Sequence, residues 1–136
     1  MTIVIDASVA LAWCFEDERS EPADQVLGRL ATDDALVPAI WPLEVANALR
    51  TAERRGRLGP GEFANAARLL LELPVRVEAI ATAQALGGIA DLARGLELSV
   101  YDAAYLALAA RRGLPLATTD ARLRRACTEA GVELLG

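Results

Sequence analysis

The sequence predicts a single α/β domain over residues 1–136, with a central, mostly parallel sheet of about four to five strands and helices on both faces. Three observations predict it. Short β-branched, apolar runs alternate with stretches of helical period, the pattern of successive βα units. The length of 136 residues suits one core, which at this size buries roughly two-thirds of the unfolded surface. Hydrophobic residues make up 54% of the chain, above the ~45–50% of an average domain, which excludes disorder for most of it.

The elements follow in order. Thr2–Asp6 (TIVID) reads as a buried strand, and Ala7 to Phe15 as a short helix. After a polar break at Glu16–Ser20, Ser20 is an N-cap and Pro22 sits in a first helical turn, with Ala23, Val26, Leu27 and Leu30 as an apolar stripe. Ala35–Pro38 is a second strand. Trp41-Pro42 opens a helix to about Arg55, with Val45, Ala46, Leu49 and Ala52 on one side. Gly56 and Gly59-Pro60-Gly61 separate it from a helix carrying Phe63, Ala66, Ala67 and Leu70. Pro74–Glu78 (PVRVE) alternates like an edge strand. A helix from about Ile80 is expected to break at Gly87-Gly88, since each Gly costs roughly 1 kcal/mol relative to Ala. Tyr101, Ala104, Tyr105, Leu108 and Ala109 form the clearest helical stripe, closed by Gly113. Leu114–Thr118 (LPLAT) is a further central strand, Asp120 starts another helix, and Val132–Leu135 is a last strand.

Composition removes whole classes of chemistry. There is no His and no Lys; all 14 positive charges are Arg. Ser–His–Asp and Cys–His nucleophile pairs, His-ligated zinc, a P-loop lysine and a Schiff base are excluded. Acid–base or metal chemistry falls to the 19 carboxylates. The net charge of −5 argues against a general nucleic-acid coat protein but leaves room for local Arg patches. Cys14 and Cys127 have no zinc spacing and read as two reduced core residues, in keeping with a cytoplasmic protein. The apolar start lacks a basic leader and is interrupted by Asp6, which argues against export, and no stretch reaches the ~18 apolar residues of a membrane span.

Four acids share a position type. Asp6 ends the first strand, Glu44 and Asp102 lie in first helical turns, and Asp120 follows the Leu114–Thr118 strand. In a parallel α/β sheet the carboxyl ends of the strands lie on one edge, where ligands bind. Capping explains each acid taken singly, at roughly 0.3–1 kcal/mol, and Ser99-x-x-Asp102 resembles a capping box. Asp6 and Asp102 are nevertheless embedded in apolar runs, where a charge needs a compensating partner. Two carboxylates ~5 Å apart repel by about 3 kcal/mol at an effective dielectric of 20. A divalent cation is the simplest compensation, and all-oxygen ligation suits Mg²⁺, with Mn²⁺ as a substitute. The four acids are expected within a few ångströms of one another.

With IVIDASV at the start, PLEVANAL around Glu44, SVYDAAYLALA around Asp102 and LATTDARL around Asp120, the chain resembles PIN-domain ribonucleases, most closely VapC-type toxins of toxin–antitoxin modules, over Thr2 to about Leu135. The resemblance implies a metal-dependent endoribonuclease whose acidic quartet falls on Asp6, Glu44, Asp102 and Asp120. Asp6, Asp102 and Asp120 would be direct Mg²⁺ ligands, with Glu44 acting directly or through a water. Ser8, Asn47, Thr118 and Thr119 are candidates for orienting ligands or water, beside ordinary capping and turn roles. A further acid found in some members is replaced here by Leu123. Arg50, Arg54, Arg111, Arg112 and Arg122 are candidates for RNA backbone contacts, or simply solvated helix ends. The resemblance also implies a homodimer and a cognate VapB-like antitoxin, and the apolar surplus fits a covered face.

Two rival classes stand beside it. A phosphatase-like phosphoryl-transfer domain of the haloacid-dehalogenase type wants a second Asp where Ser8 stands, and a receiver-type domain wants a Lys this chain lacks. A catalytically silent PIN-fold binding module would not need all four acids.

Overall fold

A computed structural model describes residues 1–136. Five strands form one sheet: β1 (Thr2–Ile5), β2 (Asp34–Pro38), β3 (Val75–Glu78), β4 (Leu116–Ala117) and β5 (Leu134–Leu135). The order is β3-β2-β1-β4-β5, and every pair is parallel. The expected α/β architecture is thus present, with the parallel pairing complete. Ile3, Val4 and Ile5 of central β1 are all fully buried. Successive residues of a strand point to opposite faces, so both faces of the sheet are covered.

The helices are α1 (Ala7–Cys14), α2 (Glu21–Arg29), α3 (Trp41–Arg54), α4 (Glu62–Glu72), α5 (Thr82–Gln84), α6 (Ala90–Leu96), α7 (Val100–Arg112) and α8 (Ala121–Ala130). Helix α7 packs across β1, β2 and β4. It buries Ala103, Ala104, Tyr105, Leu106, Leu108 and Ala109, more than one stripe of its surface. A helix apolar around so much of its girth belongs in a core, and each fully buried Leu stabilises by roughly 1.5–3 kcal/mol. Gly113 closes the helix in the left-handed conformation at φ 65°, where a Cβ would be strained.

Several local expectations need correcting. The expected interruption at Gly87-Gly88 takes the form of a π-helical turn over Ala85–Ile89, between α5 and α6, and the helix does not end there. Burial of Ile89 and Ala93 outweighs the glycine cost. The polar break at Glu16–Ser20 contains a 3₁₀ turn, Glu16–Glu18. Ala46 and Tyr101 are exposed rather than on the buried stripes of their helices. Strand β3 is the expected edge, but its Val77 is exposed. Trp13, Phe15 and Trp41 all pack in the core. Cys14 and Cys127 are free thiols, their pKa pushed up to about 11 by burial. No helix is long and apolar enough to cross a membrane.

The strand order carries the functional consequence. From β1 the chain adds β2 and β3 on one side, then returns to place β4 and β5 on the other. The order reverses between β1 and β4, and a crevice opens outside the carboxyl ends of those strands. Asp6 follows β1, and Thr118, Thr119 and Asp120 follow β4.

Candidate active site

Asp6 is held from several directions. Its backbone N–H donates to Ala117 O at 3.2 Å, continuing the β1–β4 ladder. Its carbonyl accepts from the Trp41 indole at 3.2 Å. In the side chain, Oδ1 accepts from Val9 N at 3.1 Å and from Ser8 Oγ at 2.7 Å, and Oδ2 accepts from the Thr118 hydroxyl. The capping expectation is therefore met, since Asp6 is the N-cap of α1. Three bonds on four lone-pair sites leave one site on Oδ2. The carboxyl is buried, and burial pushes its pKa up to about 6 against the pull of its three donors, with the charge of Asp102 adding to the rise.

Ser8 and Thr118 join the two strand ends. Ser8 Oγ donates to Asp6 and accepts from Thr119 N at 2.9 Å. Thr118 Oγ1 donates to Asp6 and accepts from Asp120 N at 3.0 Å. Each hydroxyl thus uses its single proton on Asp6 and its lone pairs on the segment leading to Asp120. The hydroxyl of Thr118 and the backbone of Thr119, two of the residues proposed from sequence, hold the first and fourth acids in register. Asn47 is exposed one turn beyond Glu44 on α3 and enters none of these bonds.

Asp120 caps α8 through Oδ1, which accepts from Leu123 N at 2.9 Å, leaving Oδ2 for another partner. Asp102 is partly buried in the first turn of α7, whose N-cap Ser99 accepts from Asp102 N at 3.1 Å. Burial raises the Asp102 pKa and the charge of Asp120 raises it further, while Arg122 pulls it back. Glu44 projects from the first turn of α3 and accepts a hydrogen bond from the Tyr105 hydroxyl on α7. Burial raises the Glu44 pKa, the tyrosine opposes, and the Asp102 charge adds to the rise. Burial and the Glu44 contact raise the pKa of Tyr105 itself, so its hydroxyl keeps its proton and remains a donor. Nothing in sequence distinguishes Tyr105 from the apolar stripe on which it lies.

The four acids are brought to one edge and feel one another's charge, Asp102 being coupled to each of the other three. The approach is looser than expected: no three acidic or cysteine side chains stand close enough together to hold a metal ion directly. Mutual repulsion of a few kcal/mol per pair accounts for this, as do the local bonds that turn Asp6, Glu44 and Asp120 toward Thr118, Tyr105 and Leu123. The donor set nonetheless fits a hard cation. It offers carboxylate oxygens only, carries no neutralising ammonium or imidazole, and its three inner acids all have raised pKa values.

The arginines divide by their partners. Arg50 pairs with Glu53, and Arg111 and Arg112 both grip Glu78 of β3. These three are engaged in local ion pairs. Arg54 and Arg122 are exposed and make no ion pair, and the charge of Arg122 is felt by Asp102.

Comparison with known proteins agrees with this fold. A family model described as PIN domain matches residues 3–129. Ribonuclease VapC3 of Pyrobaculum aerophilum is 36% identical over 123 residues, 90% of this chain and 92% of that protein. The crystal structure of PAE2754 from the same organism superposes with a TM-score of 0.71 at 22% identity, covering 98% of this chain and 83% of that one. VapBC2 from Rickettsia felis, solved bound to a DNA fragment from their promoter, gives a TM-score of 0.68 at 10% identity over 98% of this chain and 97% of that one.

Proposed function

The chain belongs to the PIN domain family, and from that membership we propose that it is a Mg²⁺-dependent endoribonuclease acting as the toxin of a toxin–antitoxin pair. The observation that carries this reading is the set of acids at the β1–β4 crevice, joined by the Ser8 and Thr118 hydroxyls. The name of the VapC3 relative supports the ribonuclease class.

Asp6, Asp102 and Asp120 are the proposed ligands of Mg²⁺, with Mn²⁺ able to replace it. Such an ion would polarise the scissile phosphate and lower the pKa of a bound water. Asp6 offers the remaining site on Oδ2, and Asp120 offers the oxygen that does not cap α8. Ser8 and Thr118 keep Asp6 from rotating, which preserves the direction of that site. Glu44, anchored by Tyr105 through one oxygen, has the other to orient a water and accept its proton. Arg122, exposed in the first turn of α8 two residues after Asp120, is the proposed contact for a substrate phosphate oxygen.

A covering partner is part of the proposal. Leu43 next to Glu44 is 68% exposed, and Val100 and Tyr101 next to Asp102 are 46% and 57% exposed. Large apolar side chains ringing an acidic crevice suit a protein surface that closes over it. A VapB-like antitoxin and a second copy of the chain are the proposed partners, by analogy with the paired VapBC2 structure.

The decisive experiment maps cleavage ends on total RNA with Mg²⁺ and with chelator, using the wild type and Asp102→Asn. The wild type cleaves only with the metal, and the variant folds but is inactive. Equal cleavage by the two would remove the assigned site. Co-expression with the neighbouring open reading frame relieves growth arrest if the protein is a toxin.

A further inference from the structure

A polar cleft of about 540 Å³ lies between the end of α6 and one face of α8. Arg94 and Glu97 form one wall, and Arg122, Arg125 and Glu129 the other. The last three stand at i, i+3 and i+7 and so share a face of α8. The cleft adjoins the edge that carries the acids, because Arg122 lies in the first turn of α8, two residues after its N-cap Asp120. The turn that supplies Glu97 also delivers the chain to Ser99 and Asp102, with Glu97 in the left-handed region at φ 55°.

Two of the three arginines here have no carboxylate partner. Arg29, Arg50, Arg57, Arg76, Arg111 and Arg112 all pair with carboxylates. Arg122 and Arg125 are exposed and have no carboxylate within ion-pair distance, and Arg94 pairs only with its helix neighbour Asp91 at the surface. A guanidinium fork without a protein acceptor matches a phosphate. With a net charge of −5 the protein as a whole repels a polyanion, so attraction must come from local contacts such as these. The volume is that of a small-ligand site, which suits a stretch of one strand and not a double helix.

We propose that this cleft holds the backbone of single-stranded RNA next to the cleavage point, with Arg122 and Arg125 binding flanking phosphates and Arg94 at the outer end. The proposal rests on the ribonuclease reading and names the path its substrate takes. Glu97 and Glu129, in the same cleft, oppose the phosphates and keep binding weak enough for product to leave.

The test is binding of a fluorescent single-stranded RNA in chelator across a salt series, paired with cleavage kinetics in Mg²⁺. The side chains of Arg94 and Arg125 are exposed, so R94Q/R125Q is expected to fold. Its plot of log K against log salt flattens by about 0.7 for each phosphate that is no longer neutralised. Its KM rises about tenfold with kcat within a factor of two, and E129Q binds RNA more tightly than the wild type. A wild type that cleaves RNA, beside a double variant with unchanged slope and KM, overturns the cleft while sparing the nuclease. A wild type that neither binds nor cleaves RNA overturns the nuclease reading and the cleft together. A double variant that changes only the oligomeric state assigns the cleft to a second copy of the chain and overturns the proposal.

Discussion

Asp6 shows how one side chain serves structure and chemistry at opposite cost. Its carboxyl caps α1, yet its ionised form is disfavoured by burial, with the pKa near 6 against 3.8 for an exposed group. The folded state therefore binds the proton more tightly than the unfolded state. Stability contributed by Asp6 is present below about pH 4 and is lost as pH rises through 6. Two pH units correspond to about 3 kcal/mol. Asp6→Asn keeps a capping oxygen and avoids the buried charge, so its melting temperature exceeds the wild type's at pH 7.5, in chelator, and converges with it near pH 4; RNA cleavage is lost. A variant less stable at pH 7.5 would show that the charge is compensated within the fold. Tyr105→Phe removes the donor to Glu44 and leaves the ring packed. We expect a fall in kcat of about tenfold with little change in KM, at a stability cost of about 1–2 kcal/mol. The acids are legible in the sequence because charge inside an apolar run is expensive and therefore visible. Tyr105 is not, because at that position of a helical stripe its ring explains it, and its acceptor lies 61 residues away. The arginines are legible as a type only, since Arg111 and Arg122 differ in partners that one-dimensional spacing does not reveal.

Among elements, helix starts are the most readable, because Ser20, Ser99 and Asp120 cap where their side chains suggest. Ends of strands are less so: LPLAT pairs as a ladder only at Leu116–Ala117, its last hydroxyl being diverted to Asp6. The segment around Gly87-Gly88 is interrupted without ending its helix, because packing acts beside propensity. Neither glycine has a positive φ, and a Cβ at either would meet nothing within 4 Å. Both sites therefore tolerate alanine, and Gly87→Ala with Gly88→Ala should stabilise the protein by roughly 0.5–1 kcal/mol each. Chemical denaturation that showed destabilisation instead would mean the π turn needs glycine. The joint between α7 and the sheet edge is also hidden from the sequence: PVRVE reads as a plain edge strand, yet Glu78 receives Arg111 and Arg112.

For the whole molecule, fold class and sheet direction follow from the alternation of elements, and the convergence of four distant acids follows from parallel topology. What topology does not supply is how closely they approach, which depends on side-chain bonds such as those to Thr118 and Tyr105. A cation drawn to the edge binds the native state alone and must stabilise it. Mg²⁺ should raise the melting temperature of the wild type at pH 7.5 and do so less at pH 5, where Asp6 holds a proton. Asp102→Asn should abolish most of the shift. An equal shift in that variant would place the ion elsewhere.

The hydrogen bond from Thr118 to Asp6 spans 112 residues of sequence. A ribosome making this polypeptide releases Asp6 112 residues before Thr118, and Asp120 two residues later still. Until then β1 lacks its β4 neighbour, and the first acid has no threonine to fix it. The bonded arrangement of Asp6, Thr118 and Asp120 consequently forms in one step, when the later strand docks, and a chain that stops short of residue 118 has none of it.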